Sequence, residues 1–199
     1  MFCRRDVVFG GAAVAFSAWA KSTLAGDPPA ATLVNAARAQ VGVTTIYDPA
    51  YVELPFPGGD IPRERGVCTD VIIRAYRDAF GLDLQALVNT DMRTAFADYP
   101  RRWGLTGPNA NIDHRRVGNL QVFLRRNGAA LAFDTPAAFD PGDLVTLKLP
   151  GNLDHIGIVS DQRGPLGLPL LIHNIGQGAR EEEVLHAFPL TGRFRWLPA

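Results

Sequence analysis

"RGVCTDVIIRAY" (residues 65–76) decides how the rest of the chain is read. Cys68, Ile72, Ala75, Tyr76 and Ala79 recur at steps of three and four, so they share one face of a helix that stops at Gly81. Arg74, Arg77 and Asp78 fall elsewhere on that helix. Cys68 therefore stands in the first turn and points the way the helix buries. The unpaired N–H groups and the dipole of a helix start favour an anion and lower a thiol pKa. A buried core cysteine fits the same residues equally well, so the strands downstream have to separate the two readings.

Around this helix the chain divides into a helical first part and a β-rich second part. "DPPAATLVNAARAQVG" (27–42) reads as a first helix, with Asp27 as cap, Pro28 and Pro29 at its start and Gly42 at its end. Residues 44–66 are dense in Pro and Gly, which predicts a long ordered loop or short extended pieces. Further helices are predicted over 84–97 and over "VGNLQVFLRRNG" (117–128). "PGDLVTLKL", "DHIGIVSD", "LPLLIHNI" and "RFRWLP" are short β-rich runs separated by turn residues. Helices first and strands afterwards predict an α+β fold, with N-terminal helices packed on a small antiparallel β-sheet.

Strand alternation supplies the cysteine with partners. In "DHIGIVSD", His155, Gly157 and Val159 share one face, and Ile156 and Ile158 the other. In "LLIHNIG", Leu171, His173 and Ile175 lie opposite Ile172 and Asn174. If the sheet packs on the cysteine helix, His155 can reach Cys68, and His173 can reach the far ring nitrogen of His155. Nucleophile, base and orienting group would then stand in line.

Taken together, "GVCTDVIIRAY", "DPGDLVTLKLPGNLDHIGIVSD" and "LIHNIG" resemble the NlpC-type cell-wall peptidases of the papain-like superfamily. The shared features are a cysteine opening a helix, Pro-Gly-Asp-Leu-Val on a strand, a strand that begins His-apolar-Gly, and a strand ending near Ile-His. The resemblance implies a papain-like (NlpC-type) fold, with one cysteine hydrolase domain over 27–199. It makes Cys68 the nucleophile, His155 the base and His173 the third polar residue. It also implies a peptide or amide bond of peptidoglycan as substrate, with no cofactor. Val67 and Thr69-Asp70 stand where that group usually has Asp and Ser-Gly, a departure that bears on substrate preference. The chain from about 27 to 198 also resembles the bacterial family called domain of unknown function 1287. "GVCTDVIIRAYR", "NIDHRRVGNLQVFLRR" and "DHIGIVSD…LIHNIGQG" carry that likeness.

Other residues are candidates for substrate binding. Asp113, His114, Arg115 and Arg116 form a polar knot before a helix, which suits either a capping turn or a clamp for a carboxylate or phosphate. Tyr47 and Asp48, with Tyr51, precede Cys68 in the loop and can line its cleft, or simply pack the loop. Asp70, beside the cysteine, and Asn174, beside His173, join the set. "REEEV" reads as a solvated face, and His186 shows no partner. Cys68, Asp113, His114, His155 and His173 contain zinc-type donors, but neither HExxH nor CxxC occurs, so no metal is assigned.

Composition fits this picture. The 199 residues suit one domain with a proper core, and 47% apolar content excludes a disordered chain. Zero formal charge gives no sign of nucleic acid or an anionic membrane as partner. Residues 1–25 have a basic start, an apolar run and small residues before candidate cleavage points after Ala20 or Ala25. That is a signal-peptide layout, too short for a comfortable membrane span, and the Arg4-Arg5 pair resembles a twin-arginine signal. Cleavage after Ala25 removes Cys3, Arg4, Arg5, Asp6 and Lys21, taking 20 basic and 20 acidic residues to 17 and 19. The expectation is a periplasmic monomer without a lasting membrane span, holding a single thiol in an oxidising compartment. Acyl transfer would use the same residues as hydrolysis, and a non-catalytic envelope protein that binds muropeptides or a partner is the alternative.

Overall fold

A computed structural model describes residues 28–198. The expected leader, its cleavage points, Cys3 and Asp27 lie outside the described residues. Helix α1 (Pro29–Arg38) opens on two prolines, whose fixed φ suits a helix start, and buries Leu33, Val34 and Ala37. It is shorter than the pattern predicts, because residues 39–43 continue as turns. Two short strands, β1 (Ile46–Tyr47) and β2 (Arg65–Gly66), pair in parallel and close the Pro/Gly-rich loop on itself.

Helix α2 (Cys68–Phe80) follows at once and ends at Gly81 in the left-handed region, with φ 68. The Gly81 and Leu82 N–H groups return to the Arg77 and Tyr76 carbonyls, satisfying the helix end. Helix α3 (Leu84–Ala95) is capped by Asp83, whose carboxylate accepts from the Gln85 N–H at 3.0 Å. It stops two residues before the predicted end, and a single 3₁₀ turn takes over at Phe96–Asp98. Helix α4 (Val117–Arg126) matches its pattern.

Among the described residues the main sheet has six strands: β3 (Ala130–Leu131), β4 (Leu144–Leu149), β5 (Leu153–Arg163), β6 (Pro169–His173), β7 (Arg180–Glu182) and β8 (Leu190–Phe194). Their order is β3-β8-β4-β5-β6-β7, and every pair is antiparallel. The α+β arrangement of helices on an antiparallel sheet is the expected one. Strands β3 and β7 are additions, since two or three residues with charged neighbours leave no alternation to read. "REEEV" is therefore in part a paired strand rather than a solvated face.

Two apolar layers sandwich the sheet. Ile156, Ile158, Ile172, Leu144 and Phe194 face the helices, where they meet Leu33, Val71, Ile72, Ala75 and Tyr76. Val145, Leu147, Val159 and Leu171 face the other way, beneath Phe139 and Leu185. Each fully buried Leu, Ile or Phe contributes about 1.5–3 kcal/mol, so both layers bear on stability. Residues 68–76 are all buried, which corrects the one-sided helix that the sequence suggests. Arg74 is the clearest case. It has no exposed surface, pairs with Asp60 at 3.0 Å and donates to the Ile61 and Arg63 carbonyls, so the long loop is pinned from within.

Candidate active site

Cys68 opens α2 and is 6% exposed. Val67 is the N-cap in extended conformation, and its N–H donates to the Asp70 carboxylate at 2.7 Å. This is the acidic half of a capping box, and it fixes the direction in which the cysteine leaves the loop. Thr69 donates its hydroxyl to the Arg115 carbonyl at 3.0 Å. Gly66 is required by the same packing, since a Cβ there would lie 3.1 Å from Asp70 and 3.2 Å from Arg74. The unfamiliar neighbours of the cysteine thus hold its position.

Behind them is a buried ion pair. Arg115 donates from Nε and Nη2 to the two Asp70 oxygens, 2.9 Å each, and both side chains are almost wholly out of water. Its remaining donors reach the Ala50 and Asp48 carbonyls at 3.1 Å. Asp70 and Arg115, expected to touch substrate, instead join the helix start to the loop that carries Tyr47. Only a part of Arg115 borders the cysteine cleft. Asp48 accepts from the Ala50 N–H and from Arg65, and both hold its carboxyl below the usual range.

Asp113 is also engaged within the protein: it accepts from the Asn109 N–H, Arg116 and Asn119. It caps its own turn, not α4, and burial raises its pKa. His114 is 2% exposed, its Nδ1 has no hydrogen-bond partner among the described residues, and burial lowers its pKa to about 4. Arg116 lies 4.1 Å above the Trp103 ring, and Trp103 borders the cysteine cleft. Of the polar knot, Arg116 therefore reaches the cleft only through Trp103, a residue that its loop position gave no reason to select. Among the described residues, no three His, Cys, Asp or Glu side chains come together as a metal-holding group.

The histidines occupy adjacent strands. Strand pairing sets Ile158 against Ile172 and Val159 against Leu171, so His155, Gly157, Leu171 and His173 share one face. His155 Nε2 lies 3.2 Å from His173 Nδ1, with the rings nearly perpendicular. Gly157 makes room for this contact, because a Cβ there would meet Leu171 at 2.6 Å and His173 at 3.0 Å. That face is the one turned away from the helices. The thiol of Cys68 meets the strand at the Ile156 N–H, one residue along from His155.

Two adjoining clefts complete the geometry. Cys68, Trp103 and Val117 border one, His155, Asn174 and Ile175 the other, and Tyr47, Leu153 and Asp154 border both. Burial raises the Tyr47 hydroxyl pKa, and its nearness to the Cys68 thiol and the Asp70 carboxylate works in the same direction. Asn174 is fully buried and donates to the Gly66 carbonyl at 3.0 Å, while the Gly176 N–H donates back to its oxygen. It therefore ties the end of β6 to the residues leading into Cys68, with its side chain spent on main chain.

Electrostatically the site is neutral at rest. Burial pushes the Cys68 thiol up to about 12, against the pull of the Ile156, Thr69 and Cys68 N–H groups. The lowering expected from the helix start is outweighed by desolvation. Burial lowers His155 to about 3, with His173 adding to the effect. His173 falls to about 4 for the same first reason, opposed by Glu182. The thiol at the start of α2 and the imidazoles on β5 and β6 are thus neutral together, a state in which a proton has to move during attack rather than before it.

Comparison with known families adds one decisive match, to the family described as domain of unknown function (DUF1287), over residues 34–196. The chain belongs to the DUF1287 family. A relative is the Escherichia coli (strain K12) protein YijF, described as uncharacterised. It is 49% identical over 165 residues, covering 82% of this chain and 80% of YijF. Among solved structures, NlpC1 from Trichomonas vaginalis is similar at 11% identity and a TM-score of 0.49, covering 88% of this chain. The match covers 47% of NlpC1, so this chain spans about half of that protein's length. The NlpC/p60 domain of the peptidoglycan hydrolase SagA is similar at 14% identity and a TM-score of 0.45, covering 84% of this chain and 98% of that domain.

Proposed function

We propose that this DUF1287 protein is an exported cysteine hydrolase that cleaves a peptide or amide bond of peptidoglycan. One observation carries the reading: a cysteine at a helix start adjoins the strand that bears a paired His155 and His173, around clefts sharing Tyr47, Leu153 and Asp154. As the Cys68 sulfur attacks the carbonyl carbon, its proton passes to His155. The tetrahedral intermediate collapses, the C–N bond breaks, and His155 returns the proton to the leaving amine. Water then hydrolyses the thioester, with His155 again as base. His173 holds the His155 ring, and the Cys68 N–H donates to the oxyanion that attack creates. Peptidoglycan as substrate and the periplasm as location rest on the motif resemblance and on the leader-like first 25 residues.

The test is mass spectrometry of purified peptidoglycan after incubation with the wild type and with Cys68→Ala. Cleavage that depends on Cys68 supports the reading, and identical digests overturn it. A second reading has its own support. The thiol is buried and held protonated, and the histidines lie on the sheet face away from α2. That suits an envelope protein that binds muropeptides without cutting them, for which the wild type would bind but leave peptidoglycan intact.

A further inference from the structure

The pair of histidines continues to a third strand. On β7, Glu182 stands opposite Leu171 and Arg180 opposite His173, so both project on the histidine face. His173 Nε2 is buried and has no hydrogen-bond partner among the described residues, while Glu182 Oε2 lies 3.7 Å from it. Arg180 donates to the other Glu182 oxygen, Oε1, at 3.3 Å, leaving Oε2 turned to the imidazole. These groups open on a third cleft, which Ile175, Gln177, Gly178 and Phe188 also border. The charged or titratable groups facing His173 are thus His155 from β5, and Arg180 and Glu182 from β7.

An imidazole pair with one hydrogen bond between its rings has two directions open to it, and the outer partner chooses between them. We propose that Glu182 is a positioning residue that holds the His173 proton on Nε2, and so sets the direction of the pair. His173 Nδ1 is then a lone pair that accepts from the His155 Nε2–H. The proton of neutral His155 is thereby confined to Nε2, and its Nδ1 carries the free lone pair of a base. With the opposite direction, His155 would hold its proton on Nδ1 and have nothing to accept with. The 3.7 Å gap is closed by one rotation of a partly exposed carboxylate or by one bridging water. This inference rests on His155 acting as the base for Cys68.

The test is ¹⁵N-histidine NMR of the full chain at pH 7, in wild type, Glu182→Leu and Glu182→Gln. Glu182 is at the surface end of a three-residue strand, so thermal unfolding should report all three as folded. The wild type is expected to show His155 and His173 both protonated on Nε2. Leu should lose that single pattern, and Gln, which keeps an acceptor oxygen, should restore it. Iodoacetamide alkylation of Cys68 should slow at least about tenfold in the Leu variant and recover in the Gln variant. A His173 proton on Nδ1 in the wild type, or an unchanged pattern in Glu182→Leu, overturns the proposal. If His155→Ala leaves alkylation unchanged, the base reading fails instead, and the NMR pattern still decides the role of Glu182.

Discussion

His155 and His173 form a hydrogen-bonded pair, 3.2 Å between Nε2 and Nδ1, with 2% and 1% of their surfaces exposed. Each is held neutral by burial, His155 to about 3 and His173 to about 4. In the unfolded chain both would titrate near about 6.5. Between these values the unfolded chain binds more protons, so the stability that their neutral forms carry is present above about 6.5 and is lost as pH falls towards 3–4. His114, lowered to about 4, acts in the same direction. Thermal midpoints should drop between pH 7 and pH 4, and His114→Gln should flatten that drop.

The same values set a pH profile for the thiol. With Cys68 held up to about 12 and His155 down to about 3, neither group changes state between pH 5 and 8. Alkylation of wild-type Cys68 with His155 as base should be slow and nearly flat there, until the direct thiolate path, which gains about tenfold per pH unit, takes over in alkali. A sigmoid centred near pH 6 would instead reveal a standing thiolate–imidazolium pair, which the buried site disfavours.

Gly157 separates the two rings from their neighbours by lacking a side chain. In Gly157→Ala the new methyl would press on Leu171 at 2.6 Å and on His173 at 3.0 Å. The expected cost is about 1–3 kcal/mol of stability, with loss of cysteine-dependent activity. Gly107→Ala meets nothing within 4 Å and serves as control, with urea denaturation as the measurement.

Removing one side of the Asp70–Arg115 pair leaves an uncompensated charge in the interior. Arg115→Met should destabilise the fold by about 3–5 kcal/mol, and Asp70→Asn should cost less, since an amide still accepts from Val67 and Arg115. Both are measured by urea unfolding. Cys68 should become more accessible in each, because the helix start loses its tie to the Tyr47 loop.

Trp103 covers the cysteine cleft from the side of α4, stacked under Arg116 and close to Gly118. Trp103→Ala should let bulky maleimides reach Cys68 faster without altering the pH profile. An unchanged rate would show that some other group limits access.

The fold and part of the site were legible for a physical reason: α2, β4, β5 and β6 are long enough to express a period. Spacing put Cys68 at a helix start, and alternation gave His155 and His173 each a face of its own strand, which the register of β5 and β6 then makes a common one. What alternation could not reveal is which face the helices would cover, and they cover the isoleucine face. Asp70, Arg115 and Asn174 looked like ligand contacts because polar residues near a cysteine invite that reading, yet burial turns them to main-chain and ionic partners. Glu182 was hidden in a run of three glutamates, where only strand pairing shows which carboxylate meets the histidine.

The Asn174 amide reaches from the end of β6 to the Gly66 carbonyl, two residues before the cysteine. Distant parts of the chain are thereby locked into one mechanical unit, fastened to backbone that mutation cannot easily alter. At the rim, the side chains of Arg102, Trp103 and Arg116 are tied to other side chains, through Asp154, Asp113 and ring stacking. Evolution can therefore rework the entrance and leave the interior geometry untouched, so divergent relatives should differ first at the doorway.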